Sequence, residues 1–161
     1  NNAAVQHTAY FTDEYFDYKS IAREVNTNFT SICCLISLLL PCLKHQENAV
    51  ILNVNSGLAF APKTSSAVYC ATKSALKSFS TSLAYQLTGS NVSVQQVFLP
   101  LVETQMTKGR EGKKLQAEDV AQRIIKGIKS NKSQHHIGKV KLLNLLVSMS
   151  PHLAQQVMKN A

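Results

Sequence analysis

The sequence predicts an α/β fold built on a doubly wound parallel sheet. Short apolar runs bounded by turn formers alternate along the chain with segments whose apolar residues recur at helical spacing. The clearest runs are Ala49–Leu52, with Val54 just beyond, and Val92–Leu99. A helical pattern, ALKSFSTSLAYQL, lies between them. Strands that alternate with helices in this way are typical of parallel sheets covered by helices on both faces.

Capping residues and periodicity predict the other elements. Thr12, followed by the acids Asp13 and Glu14, has the pattern of a helix start. We further expect a helix from Ile21 to Leu40, a helix from Ala117 to about Ile128, a short strand within 134–138, and a tail helix from Val140 to Met158 that Pro151 breaks. The first strand is expected to be interrupted by the turn formers Asn53, Asn55, Ser56 and Gly57.

Length and composition indicate a single domain. The chain has 161 residues, of which 45% are hydrophobic, enough for one core. No apolar run reaches the ~20 residues that a membrane span needs, since the longest candidate, Ile32–Leu43, contains Ser37 and Pro41. Asn1-Asn2 opens the chain without the pattern of a secretory signal. We therefore expect a cytoplasmic protein with no membrane span.

The cysteines are expected to be free thiols, and no metal site is predicted. Cys33 and Cys34 are adjacent in an apolar helical segment, where free cysteine behaves as a small hydrophobe. The full set, which shows no metal-ligand spacing, is Cys33, Cys34, Cys42 and Cys70. The pair His135-His136 suggests a metal only weakly, because no third ligand is evident. A reducing compartment is the simplest setting.

The net charge of +8 is concentrated between Lys108 and Lys141. A basic surface can bind nucleic acid, but this segment lacks interleaved aromatic residues and any DNA-binding motif. We favour solvated helix faces and loops, with attraction for an anionic ligand, such as a phosphorylated cofactor, as the second interpretation. No nucleic-acid partner is expected.

Three side chains around the first strand suit proton transfer. Ser56 follows the strand, and Tyr69 and Lys73 are four residues apart, so they share one face of a helix. An ammonium near a phenol favours the phenolate and lowers a pKa that is ordinarily about 10. A hydroxyl, a phenol and a cation together can pass a proton to or from a carbonyl or alcohol oxygen. Taken alone, the Tyr69/Lys73 pair could also be a half-buried aromatic beside a solvated lysine.

The correctly spaced serine makes the set more specific. Ser56, Tyr69 thirteen residues later and Lys73 in YCATK resemble the Ser…Tyr-x-x-x-Lys signature of the short-chain dehydrogenase/reductase family. That resemblance implies a Rossmann-like fold, NADP or NAD as cofactor and a small carbonyl or alcohol as substrate. It also implies that Tyr69 is the acid/base, that Ser56 binds the substrate oxygen, and that Lys73 lowers the Tyr69 pKa and binds the nicotinamide ribose.

The resemblance extends to other positions. Asn28, rather than Asn26, matches a helix asparagine whose backbone carbonyl holds a water in the family's proton relay. Asn2 and Ala3 lie in a match to the Asn-Asn-Ala-Gly motif that supports the cofactor site, with Ala4 in place of glycine. Val102 and Thr104 match a loop whose threonine contacts the nicotinamide, although Leu99-Pro100 stand where Pro-Gly is usual. Asn2, Ala3, Val102 and Thr104 are therefore predicted cofactor-binding residues, together with Tyr69 and Lys73.

The family's Gly-rich cofactor turn has no counterpart, since no G-x-x-x-G-x-G occurs in the chain. We therefore expect residues 1–161 to form one domain that corresponds only to the second half of the family fold. The resemblance also implies a homodimer or homotetramer and is strongest to a bacterial branch of small oxidoreductases. The alternative is a non-catalytic truncated remnant, or a dimerising binding module, that holds a dinucleotide poorly.

Overall fold

A computed structural model describes residues 1–160. Its strands are β1 (Ala49–Ser56), β2 (Val92–Leu99) and β3 (Gln134–His136). Its α-helices are α1 (Lys19–Val25), α2 (Ser31–Lys44), α3 (Ala67–Gln86), α4 (Ala117–Lys129), α5 (Val140–Met149) and α6 (Pro151–Lys159). A π-helical turn, Asn26–Thr30, joins α1 to α2, and 3₁₀ turns cover Gly57–Ala59 and Gln105–Thr107.

The strands form one parallel sheet in the order β1-β2-β3. The register pairs Ala49 with Val92 and Ser56 with Leu99, so the carboxyl ends of β1 and β2 lie side by side. Helix α3 connects β1 to β2, and α4 connects β2 to β3. The predicted parallel α/β sheet is confirmed, and its carboxyl edge is where ligands bind in open sheets of this kind.

Alternation along β1 divides the core between the two faces of the sheet. Ile51 packs in a cluster with Ile36 of α2 and Leu76 of α3. Its neighbour Leu52 packs on the opposite side, in the cluster that contains Val120 of α4. Because successive strand residues point to opposite faces, one strand supplies both cores. Helices therefore cover both faces of the sheet, as a doubly wound fold requires.

The predicted break in β1 was wrong, because the strand continues to Ser56. Asn53 and Asn55 are buried, and the side-chain amides of both form hydrogen bonds. The Asn53 side chain accepts from Asn1 at 2.7 Å and donates to Ser80 at 2.7 Å. The Asn55 side chain donates to the Gln96 side chain at 3.4 Å. Turn propensity fails here because buried partners replace the local bonds that asparagine makes in turns.

The helix predicted to start at Thr12 is instead a set of turns. The Asp13 side chain accepts a hydrogen bond from the backbone N–H of Tyr10 at 2.8 Å, which closes a turn. Helix α1 begins at Lys19, whose N–H donates to the Asp17 side chain at 3.0 Å. The acidic side chain that accepts a hydrogen bond at the start of this helix is therefore that of Asp17, four positions after Asp13.

The following helix is longer than predicted. The continuous helical segment formed by α1, the π turn and α2 runs from Lys19 to Lys44, past the predicted end at Leu40 and through Pro41. Leu40 and Leu43 flank this proline and pack against the core between α2 and α3. This packing stabilises the last turn of α2. By length and composition alone, this 26-residue helix could cross a membrane, although core helices of soluble proteins pass the same test.

Several side chains of the apolar helices α2 and α5 lie on the surface of the chain. Cys34 is exposed, because only the face of α2 that carries Ile32 and Ile36 meets the core. On α5, Leu142 and Met149 are 70% and 76% exposed, since Val140 is the residue of that helix that packs inward. The four cysteines are free, as predicted.

Candidate active site

Ser56, Tyr69 and Lys73 meet at the carboxyl end of β1. Ser56 is the last residue of that strand, and Tyr69 and Lys73 lie in the first two turns of α3. Tyr69 is 8% exposed and Lys73 is 3% exposed. The sheet and one helix thus bring the predicted hydroxyl, phenol and amine together, as their spacing indicates.

The backbone around Ser56 fixes its hydroxyl. The Ser56 N–H donates to the Asn55 side chain at 2.9 Å, and the Ser56 side chain accepts from the Leu58 N–H at 3.2 Å. Gly57, which follows, is buried, and a Cβ built there would lie 3.1 Å from a methyl group of Val140. A side chain at this position would therefore need Val140 of α5 to move by a few tenths of an ångström.

Burial dominates the electrostatics of Tyr69. It raises the pKa of Tyr69 to about 12, while the nearby Ser56 hydroxyl and the charge of Arg110 act in the lowering direction. The charged forms of Cys70 and Glu24 act in the raising direction. The phenol therefore keeps its proton at physiological pH and is available to donate it.

Lys73 lies beside the Tyr69 ring rather than at its hydroxyl. Its Nζ is 5.6 Å from the ring centroid and donates to the Val54 carbonyl at 2.9 Å. Burial lowers the pKa of Lys73 to about 8. The expectation that Lys73 lowers the Tyr69 pKa is not met in this chain, because burial outweighs the charges near Tyr69 and raises that pKa.

Asn28 is fully buried in the π turn. Its side chain accepts from the Val5 N–H at 2.8 Å and donates to the Val5 carbonyl at 2.8 Å. It also donates to the Thr72 hydroxyl at 3.2 Å, which ties the π turn to α3. Such π-helical turns are frequent at functional sites. The predicted relay role of the Asn28 carbonyl remains a prediction.

The predicted cofactor residues lie at the same edge of the sheet. Asn1 pairs with β1, since the Val54 N–H donates to the Asn1 carbonyl at 2.9 Å, and the neighbouring Asn2 and Ala3 are exposed there. Past the end of β2, Thr104 is exposed. Val102 differs, because it is 9% exposed and its side chain belongs to the core under α4.

Three polar residues near Tyr69 went unrecognised in the sequence. The Arg110 guanidinium donates to the Gln6 side chain, whose Nε2 donates to the Ser66 hydroxyl at 3.0 Å. Ser66 precedes α3 in a left-handed conformation, with φ of 61°, and is 2% exposed. The one sequence signal for this arrangement was the pair Gly109 and Gly112 around Arg110, which permits a sharply folded loop.

A cavity of about 450 Å³ lies elsewhere, between α4 and β3. Arg123, Lys126, Lys132 and Lys141 line it together with the pair His135 and His136. Ser56, Tyr69 and Lys73 do not contribute to this cavity. Part of the predicted basic surface is therefore concave and separate from the candidate active site. Within residues 1–160, no group of three His, Cys, Asp or Glu side chains is placed to hold a metal.

Comparison with known proteins decides the family. The family model described as short chain dehydrogenase matches residues 1–115, which include all of the site described above except the residues of α5. The chain belongs to the short-chain dehydrogenase family. Its Ser56, Tyr69 and Lys73 lie within the matched part, so the resemblance noted from the sequence is confirmed at the level of the family.

Relatives of this short-chain dehydrogenase include proteins named as oxidoreductases. It is 36% identical over 143 residues to an uncharacterized oxidoreductase, DltE, of Bacillus subtilis, covering 83% of this chain and 56% of that protein. It is 30% identical over 106 residues to the human very-long-chain 3-oxoacyl-CoA reductase, covering 66% of this chain and 34% of that protein. The chain thus spans about half, or less, of the length of these relatives.

Solved structures share the fold. A short chain dehydrogenase from Burkholderia cenocepacia in complex with NADP matches with a TM-score of 0.90 at 18% identity, covering 98% of this chain and 66% of that one. A short chain dehydrogenase/reductase from Burkholderia phymatum in complex with NAD matches with a TM-score of 0.76 at 16% identity, covering 91% of this chain and 64% of that one. The Rossmann-like fold predicted from the sequence is therefore confirmed, with the chain corresponding to part of it.

Proposed function

We propose that this short-chain dehydrogenase contributes the proton-transfer site of an NAD(P)-dependent oxidoreductase that reduces a carbonyl or oxidises an alcohol. The observation that carries the proposal is the buried Tyr69 phenol, whose pKa responds to the nearby Ser56 hydroxyl at the carboxyl edge of the sheet. General acid catalysis needs a group that holds its proton and lies within hydrogen-bond reach of the reacting oxygen. A Tyr69 pKa of about 12 satisfies the first condition.

The three side chains take different parts in the proposed reaction. Tyr69 donates its proton to the carbonyl oxygen during reduction and takes it back during oxidation. The Ser56 hydroxyl donates a hydrogen bond to the same oxygen and so stabilises the negative charge that develops there. Lys73, held by the Val54 carbonyl beside the Tyr69 ring, keeps a positive charge below a pH of about 8 and would bind the ribose next to the nicotinamide.

NADP or NAD is the proposed cofactor, and it supplies the hydride when bound. The residues present suit its nicotinamide end, because Asn2, Ala3 and Thr104 are exposed at the carboxyl edge of the sheet, where Lys73 and Tyr69 also lie. Backbone N–H groups for a pyrophosphate come from a Gly-rich turn in folds of this type, and the chain has no such motif. The complexes of the two Burkholderia proteins with NADP and NAD support the proposal.

A second copy of the chain is the proposed occupant of the exposed face of α2. On this helix, Leu35, Leu38 and Leu39 are 45%, 76% and 45% exposed, so they form an apolar surface. The buried Glu24 and Asn28 on the opposite side pack this helix against the protein, which favours a core helix over a membrane span. Sedimentation velocity should show a dimer or tetramer that Leu38→Arg dissociates and Lys44→Ala leaves intact; a wild-type monomer would contradict this arrangement.

Deuteride transfer tests the proposed function. The N-terminal part of the Bacillus subtilis relative, up to the residue that aligns with Asn1, would be fused ahead of this chain; we refer to this fusion as the chimera. With carbonyl compounds and cofactor deuterated at C4 of the nicotinamide, the alcohol product should carry one deuterium on the former carbonyl carbon. Mass spectrometry reads this out. A well-folded chimera that binds cofactor but transfers no deuterium to any carbonyl would contradict the proposal.

A further inference from the structure

Two cations lie beside the candidate active site, on different loops. Hydrogen bonds through Gln6 link the Arg110 guanidinium to Ser66, three residues before Tyr69, and the charge of Arg110 acts on the pKa of Tyr69. Lys63, in the loop before α3, has its pKa lowered by burial and then by the charge of Arg110. Both residues are partly buried, and neither forms a salt bridge with the described residues 1–160. Two nearby like charges without an acidic partner disfavour each other unless an anion lies between them.

Gln6 holds Arg110 in position. Arg110 donates to the Gln6 side-chain oxygen, and the Gln6 amide donates to Ser66 at 3.0 Å. This chain of bonds joins three segments that are far apart in sequence: the loop after β2, the N-terminal segment and the start of α3. The guanidinium has five N–H donors, and the described residues take up one of its terminal nitrogens through Gln6. The remaining donors are available to a ligand.

The N-terminal segment that carries Gln6 is itself anchored on both sides. Val5 exchanges two hydrogen bonds with the Asn28 side chain, each of 2.8 Å. The His7 N–H donates to the Glu24 carboxylate at 2.7 Å, and Glu24 is 2% exposed. Gln6 therefore projects from a fixed backbone, and the position of Arg110 is determined by the protein before any ligand binds. Such preorganisation reduces the ordering cost of binding.

The loop itself is shaped to bring Arg110 back over the sheet edge. Gly109 and Gly112 have φ values of +78° and +105°, which only glycine adopts without strain. Lys114 anchors the far side of the loop, donating to the Thr107 carbonyl at 2.9 Å and pairing with Glu103 at 3.2 Å. Lys114 thus has an acidic partner, in contrast to Arg110 and Lys63.

We propose that Arg110 and Lys63 form an anion subsite that binds a carboxylate or phosphate group on the substrate whose carbonyl oxygen is bound by Tyr69 and Ser56. The inference deepens the proposed function and rests on it. Arginine suits the role because its planar fork matches two oxygens of a carboxylate or phosphate at once. The partial burial of both cations strengthens their attraction for an anion relative to fully exposed lysines.

Matched pairs of ligands test the subsite without requiring turnover. Acetoacetate is compared with methyl acetoacetate, and dihydroxyacetone phosphate with dihydroxyacetone, by the shifts of the Ser66 and Tyr69 backbone amides in NMR titrations of the 161-residue chain. We expect the charged member of at least one pair to bind about 10-fold or more tightly than its neutral partner. The pair that shows the preference identifies carboxylate or phosphate as the recognised group.

Substitutions assign the preference to the two cations. Arg110→Gln and Lys63→Gln should each reduce the charged-to-neutral affinity ratio several-fold, Arg110→Lys should retain part of it, and the matched control Lys113→Gln, in the same loop, should leave it unchanged. Equal affinities for charged and neutral ligands, or an equal loss in Lys113→Gln, would overturn the inference. So would tighter binding of ADP than of either charged ligand at these residues, since that would assign the cations to cofactor phosphates.

The two proposals fail separately. If the chimera transfers deuterium to neutral and charged carbonyls equally well, and the NMR titrations show no charge preference, the anion subsite is wrong and the proposed function stands. If no carbonyl accepts deuterium, the proposed function is wrong whatever the titrations show.

Discussion

At the scale of single residues, the same physical cause shifts the pKa values of Tyr69 and Lys73, in each case in favour of the neutral form. Burial disfavours charge, so it raises the pKa of the phenol to about 12 and lowers that of the amine to about 8. In this chain the phenol is therefore protonated at neutral pH rather than a preformed phenolate. The amine, in contrast, titrates just above neutral pH, where a modest change in its surroundings alters its charge.

The Lys73 shift predicts a pH dependence of stability. An unfolded lysine titrates near 10.4, whereas folded Lys73 titrates near 8, so between these values the unfolded state binds more protons. The free energy of unfolding should therefore rise with pH, by on the order of 3 kcal/mol from this residue over the whole window and by about 2 kcal/mol between pH 7.5 and 9.5. Urea unfolding at pH 7.5 and 9.5 measures it. Lys73→Met should show a smaller rise than wild type, while Lys77→Met, in the next turn of α3, should not; an equal rise in wild type and Lys73→Met would contradict the shift.

At the scale of elements, the π turn Asn26–Thr30 connects the N-terminal segment to α3. Its one buried residue, Asn28, satisfies both polar backbone groups of Val5 and reaches Thr72. The turn thus fixes Val5 and, with Glu24, the backbone on either side of Gln6. A local irregularity in one helix thereby determines the position of a side chain that contacts Arg110.

Asn28→Ala should destabilise the protein far more than Asn26→Ala. The first change leaves the partly buried N–H and carbonyl of Val5 without side-chain partners, and each such loss costs up to about 1–3 kcal/mol. Asn26 is exposed in the same turn, so its replacement should change stability by less than about 0.5 kcal/mol. Thermal unfolding followed by circular dichroism should show a Tm lower by roughly 5 °C or more for Asn28→Ala only. Similar Tm values for the two variants would show that the Asn28 contacts contribute little.

At the scale of the whole molecule, the chain corresponds to part of the short-chain dehydrogenase fold. It covers 56% of the Bacillus subtilis relative and lacks a Gly-rich turn. On the outer side of β1, Asn1 pairs near Leu52 and Val54, and Val50 is 42% exposed. An open strand edge of this kind favours association or local disorder.

The 161-residue chain should therefore bind dinucleotide weakly. Calorimetric titrations with NADP and NAD should give a Kd at least about 10-fold higher for this chain than for the chimera, because the chimera supplies backbone N–H groups for the pyrophosphate. The chimera should also have the higher Tm, since added strands cover the edge of β1. Equal affinity in the two forms would show that the cofactor is held by residues within 1–161.

The parts that could be predicted from the sequence depend on local pattern. The apolar run of β2 and the spacing of Tyr69 and Lys73 each lie within one element, so periodicity identifies them. The contacts of Arg110 with Gln6, and of Gln6 with Ser66, join residues 104 and 60 positions apart, and no local pattern encodes them. The Tyr69 pKa was expected in the wrong direction for a related reason: spacing places a charge nearby but does not show how deeply the phenol is buried.

Turnover of Tyr69→Phe tests the central claim most directly. In the chimera, this variant removes one hydroxyl and should lower kcat for carbonyl reduction by roughly 10²-fold or more, the scale of general acid catalysis, with the Tm and cofactor affinity little changed. Tyr85→Phe, on the same helix and 73% exposed, is the matched control and should retain wild-type kcat. A Tyr69→Phe chimera that turns over as fast as wild type would show that Tyr69 is not the proton donor.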